Sequence, residues 1–195
     1  MKVVEYHGTS VNFRYSIEKD GLDPQKCRYR NNHWLGQGVY FFDDYDKALW
    51  WAKIISSYNS DCGALIYKSC IEAIDEEVLD LDDNNQLDLF LTVIMDTLNE
   101  VENECIGEMP QFTTETFKAV FFDYYKQTYN ISVIIATFQK DVVKYMTRRS
   151  TEGIKQQKAI LNNIGIYFKE KQICVSKKEC INSTKLVYNE EEEVI

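Results

Sequence analysis

The period of the hydrophobic pattern changes along this chain, and that change restricts the fold more than any other feature of the sequence. Short β-prone runs predict strands at 3–7, 38–42, 63–74, 78–82, 131–138 and 172–176. Apolar residues at helical spacing predict helices at 10–21, 45–57, 85–104, 113–128 and 153–163. We therefore predict an α+β domain in which helices are inserted between the strands of a sheet.

The same spacing predicts which side of each helix faces the core. The inward positions are Phe13 and Ile17 in the first helix, Ala48, Trp51, Ala52 and Ile55 in the second, and Phe117, Val120, Phe121 and Tyr124 in the fourth. Asp43 and Asp44 precede the second helix, where carboxylates complement the N-terminal end of the helix dipole. We expect a turn at residues 8–10, a surface loop over 22–35 and a frayed acidic tail over 189–193.

Length and composition are those of a single domain. The chain has 195 residues, of which 45% are apolar, and only two prolines that could stiffen a linker. We predict one domain over 1–195, with 83–130 as a helical insertion. No apolar stretch approaches the roughly eighteen residues of a membrane span, and the N-terminus lacks the apolar core of a secretory signal. A cytoplasmic protein with no membrane partner is therefore expected.

Charge and cysteine usage narrow the possible partners. The formal charge of −9 disfavours general nucleic-acid binding, and the basic residues Arg148, Arg149, Lys155 and Lys158 are interpreted as a solvated face. The six cysteines form no C-x-x-C pair, and no histidine stands at zinc spacing, so we expect reduced thiols and no metal. Metal binding and a catalytic cysteine–histidine pair are the alternatives given less weight.

Two of the chain's eight glycines, Gly36 and Gly38, stand directly before the β-prone run V-Y-F-F. Glycine allows close backbone approach and positive φ, so the pair predicts a tight turn against which a ligand or a neighbouring segment lies. The pattern is not a dinucleotide-binding fingerprint, because there the strand precedes the glycines.

A wider motif surrounds this turn. Tyr6-His7-Gly8-Thr9 is followed by a helix ending in Gly-Leu, a loop, G-Q-G-V-Y-F, and a helix that carries a lysine and tryptophans. This order resembles the catalytic domain of the poly(ADP-ribose) polymerase branch of the ADP-ribosyltransferases. The resemblance covers residues 5–52 well and 172–181 weakly, and leaves 83–165 unaligned. It implies an ADP-ribosyltransferase-like fold with split mixed or antiparallel sheets and a helical insertion.

The resemblance also implies a site for NAD, which is the substrate, and no metal. His7 would bond a hydroxyl of the adenosine ribose, the Gly8 backbone would pair with the nicotinamide amide, and Tyr40 would stack on the nicotinamide ring. Trp51 would form the other aromatic wall, and Gly36 and Gly38 would let the loop close on the dinucleotide. The remaining residues that the resemblance assigns to this site are Thr9, Phe41 and Lys47.

Two positions depart from the family pattern. Gln172 stands where the family has a catalytic glutamate, and it carries no negative charge to stabilise an oxocarbenium-like transition state. Glu170 lies two residues earlier, on the same side of a strand, so either residue could fill the role. Ala48 stands where many members have a serine that bonds nicotinamide. Because the family's glutamate is absent, we do not expect elongation into poly(ADP-ribose).

These features favour a mono-ADP-ribosyltransferase that modifies a macromolecule, a protein rather than a nucleic acid. The Lys-, Asn- and Ile-rich composition and small size suggest a bacterial or phage toxin. The alternatives are a catalytically inactive module that binds NAD or ADP-ribose, favoured by Gln172, and an interaction protein with an accidental or vestigial resemblance.

Overall fold

The computed structural model describes residues 1–30, 33–58, 63–104, 114–140 and 168–192. Over these ranges its strands are β1 Lys2–Ser10, β2 Val39–Phe42, β3 Ala64–Glu72, β4 Val78–Asp80, β5 Val133–Lys140, β6 Phe168–Val175 and β7 Ile181–Asn189. The α-helices in the same ranges are α1 Arg14–Asp20, α2 Tyr45–Tyr58, α3 Asn84–Glu104 and α4 Thr114–Tyr129. The predicted α+β class is confirmed.

The described strands form one mixed, seven-stranded sheet in the order β4-β5-β6-β2-β1-β3-β7. Strands β4 and β5 are parallel, and every other neighbouring pair is antiparallel. The expectation of split sheets is wrong for these strands, because Phe42 of β2 pairs with Gln172 of β6 on one side and with Tyr6 of β1 on the other. Tyr6 and Phe42 are the one residue pair that joins β1 to β2 over the described ranges.

Strand β1 is longer than the sequence predicts. Residues 8–10, expected to form a turn, continue the strand because they pair with residues 64–66 of β3. The first helix is correspondingly short, and Gly21 ends it with φ of 75° and an N–H that donates to the carbonyl of Ile17. Phe13, expected to face inward, is 46% exposed because it precedes α1 in a separate 3₁₀ turn.

The two faces of the sheet carry separate apolar cores, since successive side chains of a strand point to opposite faces. On the side of α1 the buried strand residues are Val39, Phe41, Leu65, Tyr67, Ile71, Val133, Ile135, Ile173 and Val175. On the other side, α3 and α4 cover a cluster that contains Leu35, Leu79, Phe90, Phe121, Phe122, Tyr125, Ile134, Ala136 and Cys174. Helix α2 covers Phe42 and Ile66 on that same side through Ala48.

Helix α4 is rotated relative to the predicted orientation. Phe121 is buried as expected, but Val120 and Tyr124 are 49% and 46% exposed, so their inward assignment is wrong. The buried face instead includes Phe122, Tyr125 and the charged Lys126. The rotation follows from the contacts of Lys126, described below, which bind the loop before β2.

The C-terminal strand β7 was not predicted, because I-N-S-T-K-L-V-Y-N contains no long apolar run. The expected fraying of the tail is wrong for residues 189–192. Asn189 is buried, and the backbone N–H of Glu190 donates to the carbonyl of Ala64 at 3.0 Å. The predicted helix 153–163 and the basic residues Arg148, Arg149, Lys155 and Lys158 lie outside the described residues.

Within the described ranges, no helix combines the length and the apolar character needed to cross a membrane. The four cysteines in these ranges are free thiols: Cys27, Cys70, Cys174 and Cys180. Cys62 and Cys105 lie outside the described residues.

Candidate functional site

Strand order brings the three motif segments next to one another. Strand β2, which carries Tyr40, lies between β1, which carries His7, and β6, which carries Gln172. Tyr6 and Phe42 are the one residue pair between β1 and β2 in the described ranges. The side chain of His7 in β1 also contacts the backbone of Tyr40 in β2. This junction of β6, β2 and β1 is the candidate site.

The side chain of His7 links the two strands at that junction. Its Nδ1 lies 2.8 Å from the backbone carbonyl oxygen of Tyr40, and its ring lies 5.8 Å from the ring of Phe41. A carbonyl can only accept, so Nδ1 carries the proton. Burial lowers the pKa of His7, which favours the neutral ring. The neutral Nδ1–H tautomer leaves Nε2 as a hydrogen-bond acceptor.

The hydroxyl of Tyr40 holds the loop that precedes β2. It donates to the carbonyl of Gly36 at 2.7 Å and accepts from the backbone N–H of Leu35 at 2.9 Å. Burial raises the pKa of Tyr40 well above its usual value, so the phenol is neutral. The Tyr40 ring is tilted against the ring of His33, with 5.4 Å between the ring centroids. Tyr40 therefore fixes the glycine turn, whether or not its ring also meets a ligand.

The motif glycines are explained by neighbouring protein segments. Gly36 has φ of 74°, and a side chain there would overlap the carboxylate of Asp123. A Cβ at Gly38 would lie 2.6 Å from Sγ of Cys174. A Cβ at Gly8 would overlap the backbone carbonyl of Ala48 in α2. Close packing against α4, β6 and α2 therefore accounts for glycine at these three positions.

Gln172 and Glu170 form a buried pair on β6. Nε2 of Gln172 donates to Oε1 of Glu170 at 2.6 Å, and the residues are 8% and 3% exposed. The same-side placement expected from the sequence is therefore present. Since the amide nitrogen is turned to Glu170, the side-chain oxygen of Gln172 is left to accept a hydrogen bond. The pair places a carboxylate next to a neutral acceptor.

The other residues assigned to the NAD site are dispersed around this junction. Lys47 forms an ion pair with Asp43, its Nζ 3.1 Å from Oδ1. Thr9 is buried in β1, and Phe41 lies in the core on the α1 side. Trp51 packs in the cluster under α2, whereas Tyr40 packs in the cluster under α3 and α4. The two aromatic walls expected from the resemblance thus belong to different clusters.

One acidic residue at the junction was missed. Glu5 is 9% exposed, and its Oε2 has no hydrogen-bond partner among the described residues. Burial, reinforced by the negative charge of Asp43 and opposed by Lys171, raises the pKa of Glu5 to about 7. The carboxyl stands two residues before His7 and on the same side of β1. In the sequence only its place inside an apolar strand pattern, V-V-E-Y, could have revealed it.

A buried polar cluster beneath the glycine turn was also missed. Lys126 of α4 is 7% exposed, and its Nζ donates to the carbonyl of Gln37 at 2.7 Å. Asp123, one helical turn earlier, accepts from the backbone N–H of Gln37 at 2.6 Å. The side chain of Gln37 donates to the carbonyl of Cys27 at 2.6 Å. The i, i+3 spacing of Asp123 and Lys126 was visible in the sequence, but their target was not.

Among the described residues, no group of three or more His, Cys, Asp and Glu side chains is arranged to hold a metal ion. Comparison of the chain with protein-family models, with curated proteins and with solved structures finds no match.

Proposed function

We propose that this protein is a mono-ADP-ribosyltransferase with an ADP-ribosyltransferase-like fold, which transfers ADP-ribose from NAD to a macromolecule and releases nicotinamide. The observation that carries the proposal is the contact of His7 with the carbonyl of Tyr40 between β1 and β2. It joins two residues of the motif that lie 33 positions apart in the chain. The adjacency of β6, with Gln172 and Glu170, supports the proposal further.

The junction offers chemistry suited to cleavage of a glycosidic bond. The neutral His7 ring presents Nε2 to accept a hydrogen bond from a ribose hydroxyl. Gln172 and Glu170 lie on the opposite face of the sheet from His7, because Gln172 pairs with Phe42 whereas His7 pairs with Tyr67 of the α1-side core. A ribose bound by both sets would therefore lie in the gap between β1 and β2, where Tyr6 and Phe42 are the one residue pair over the described ranges. There the oxygen of Gln172 would accept a second hydroxyl, and Glu170, 2.6 Å from the Gln172 amide, would contribute the negative charge that Gln172 lacks. That charge would stabilise the positive ribose ring that forms as nicotinamide leaves, an electrostatic role that requires no proton transfer.

The acceptor is proposed to be a protein. The net charge of −9 repels a phosphate backbone more than it repels most protein surfaces. We propose a cytoplasmic setting for the reaction, supported by the free thiols of the four described cysteines. We propose that the transferase acts as a bacterial or phage toxin, which the Lys-, Asn- and Ile-rich composition and the small size of the chain support.

The experiment is transfer of isotope-labelled ADP-ribose from NAD to proteins of a cell extract, with nicotinamide release measured in parallel. The wild-type chain is expected to label protein and release nicotinamide, and Glu170→Gln to slow release roughly tenfold or more. Glu179→Gln, which neutralises an exposed carboxylate in the 3₁₀ turn after β6, is the matched control and is expected to leave the rate unchanged. Absence of label, of nicotinamide release and of NAD binding by calorimetry would refute the proposal.

A second candidate is a module that binds NAD or ADP-ribose without turnover. The neutral amide of Gln172 at the position of the family's glutamate specifically favours it. Calorimetry with NAD would then show binding while nicotinamide release stays at background. Gln172→Glu is the informative variant: a gain of release would support this candidate, and release already present in the wild-type chain would exclude it.

A further inference from the structure

A lysine amine and a cysteine thiol lie in contact inside the protein, in the cluster beneath the glycine turn. Nζ of Lys126 is 3.5 Å from Sγ of Cys174, and both side chains are buried, at 7% and 0% exposure. The amine is held in place by the carbonyl of Gln37 at 2.7 Å and by the carboxylate of Asp123 at 3.5 Å. The contact therefore joins α4 to β6 with little freedom on either side.

The other polar neighbours of the sulfur are oxygen atoms. The carbonyls of Gly36 and Gln37 lie 3.8 Å from Sγ, and the Tyr40 hydroxyl also faces it. Gly38 packs closely against the sulfur, since a Cβ at position 38 would lie 2.6 Å from Sγ of Cys174. A small oxidant can reach such a thiol through transient openings, whereas glutathione or a protein thiol is too large. An oxidised sulfur at this place would meet the amine before any external thiol.

We propose that Lys126 and Cys174 are a site of oxidative cross-linking, at which a peroxide joins Nζ to Sγ through one oxygen atom. One peroxide oxidises the thiol to a sulfenic acid and releases water. A second peroxide oxidises the amine, after loss of a proton to solvent, to a hydroxylamine and releases another water. The hydroxylamine oxygen then attacks the sulfenic sulfur, and the sulfenic hydroxyl departs as a third water. Two peroxides thus supply four oxidising equivalents for one N–O–S bridge.

The groups around Cys174 affect the rate of its oxidation as well as the product. Burial raises the pKa of the Cys174 thiol, and the nearby Lys126 ammonium opposes that rise. Because a raised pKa disfavours the reactive thiolate, we expect the reaction to be slower than oxidation of a free thiol in solution. The product would fix α4 and β6 on either side of the turn that Tyr40 and Asp123 already hold. This inference does not depend on NAD or on any transferase activity.

The test is mass spectrometry of the full chain after treatment with hydrogen peroxide and removal of the excess. The bridge adds one oxygen and removes two hydrogens, so the expected gain is about 14 Da, reversed by dithiothreitol. Trypsin should no longer cut after Lys126, and peptide 119–140 should be found joined to peptide 172–177. Because the wild-type chain gives this map, the test does not require any variant to fold.

Two variants sharpen the result. Cys27→Ser removes a different free thiol and leaves Lys126 and Cys174 in place, so it is expected to retain the cross-link. Lys126→Arg keeps a buried cation but removes the reacting amine, and it is expected to lose the cross-link. Three outcomes would overturn the proposal: unmodified Cys174 after the partly exposed Cys70 has been oxidised, a sulfinic or sulfonic acid at Cys174 with Lys126 free, or a disulfide between Cys174 and Cys27.

Discussion

Replacing Glu5 with glutamine tests the electrostatics of the junction directly. The carboxyl is buried in β1, its Oε2 lacks a partner among the described residues, and its pKa is raised from 4.5 to about 7. The first cause is burial and the second is the charge of Asp43, while Lys171 acts in the opposite direction. Glutamine has nearly the same shape and cannot ionise, so Glu5→Gln removes the titration while keeping the volume.

The size of the effect follows from linkage between protonation and folding. Below pH 4.5 the carboxyl is protonated in both the folded and the unfolded chain, and above pH 7 it is ionised in both. Between these values only the folded chain holds the proton, so the free energy of unfolding falls as pH rises. A rise in pKa from 4.5 to about 7 corresponds to a loss of about 3 kcal/mol across that window.

The assay is urea denaturation of the wild-type and Glu5→Gln chains at several pH values from 4 to 8. We expect the stability difference to shift in favour of the variant by about 3 kcal/mol between pH 4.5 and pH 7, and to be constant outside that window. Glu76→Gln, which removes an exposed carboxylate, is the control and should show no such shift. A difference between wild type and Glu5→Gln that does not vary with pH would refute the reasoning.

Three further substitutions test the packing of the junction, each by the urea midpoint of unfolding. Tyr40→Phe removes a hydroxyl that bonds two backbone groups of the glycine turn, and we expect the free energy of unfolding to fall by about 1–3 kcal/mol. An unchanged midpoint would mean that the turn is stable without these two hydrogen bonds. Gly8→Ala forces a methyl group against the carbonyl of Ala48 and should destabilise by about 1–3 kcal/mol or more; a neutral result would show that α2 can shift. Lys126→Met leaves the carbonyl of Gln37 and the half-buried carboxylate of Asp123 without their amine, with an expected loss of about 3 kcal/mol. A stabilised variant would contradict this role.

Sequence patterns were sufficient to predict an element where the capping residues and the hydrophobic spacing indicated the same structure. Helix α2 was predicted over 45–57 and is found at Tyr45–Tyr58, because Asp44 caps it and small apolar residues repeat on one face. The glycine turn was predicted to pack against a ligand or a neighbouring segment. The structure supplies the segment, α4 at Gly36 and β6 at Gly38.

Tertiary contacts determine what the sequence could not show. Strand β7 exists because β3 offers it a pairing edge, and its own residues are too polar to form an apolar run. Helix α4 has apolar residues around most of its circumference, so spacing alone could not select the buried face. The choice depends on Lys126, whose burial is tolerable only because a loop almost ninety residues away supplies its carbonyl partner.

The segment 83–130 was predicted as a helical insertion, and it lies between β4 and β5. The contacts of α4 show that this segment also has a structural role. Asp123 and Lys126 bind the backbone of Gln37 from within it, so the segment is a structural support of the turn in front of β2. A shortened version of the protein that joins β4 directly to β5 would release that turn even with every motif residue intact. The smallest working unit therefore includes α4, and transplanting the glycine motif to another scaffold would require its helical partner to be transplanted with it.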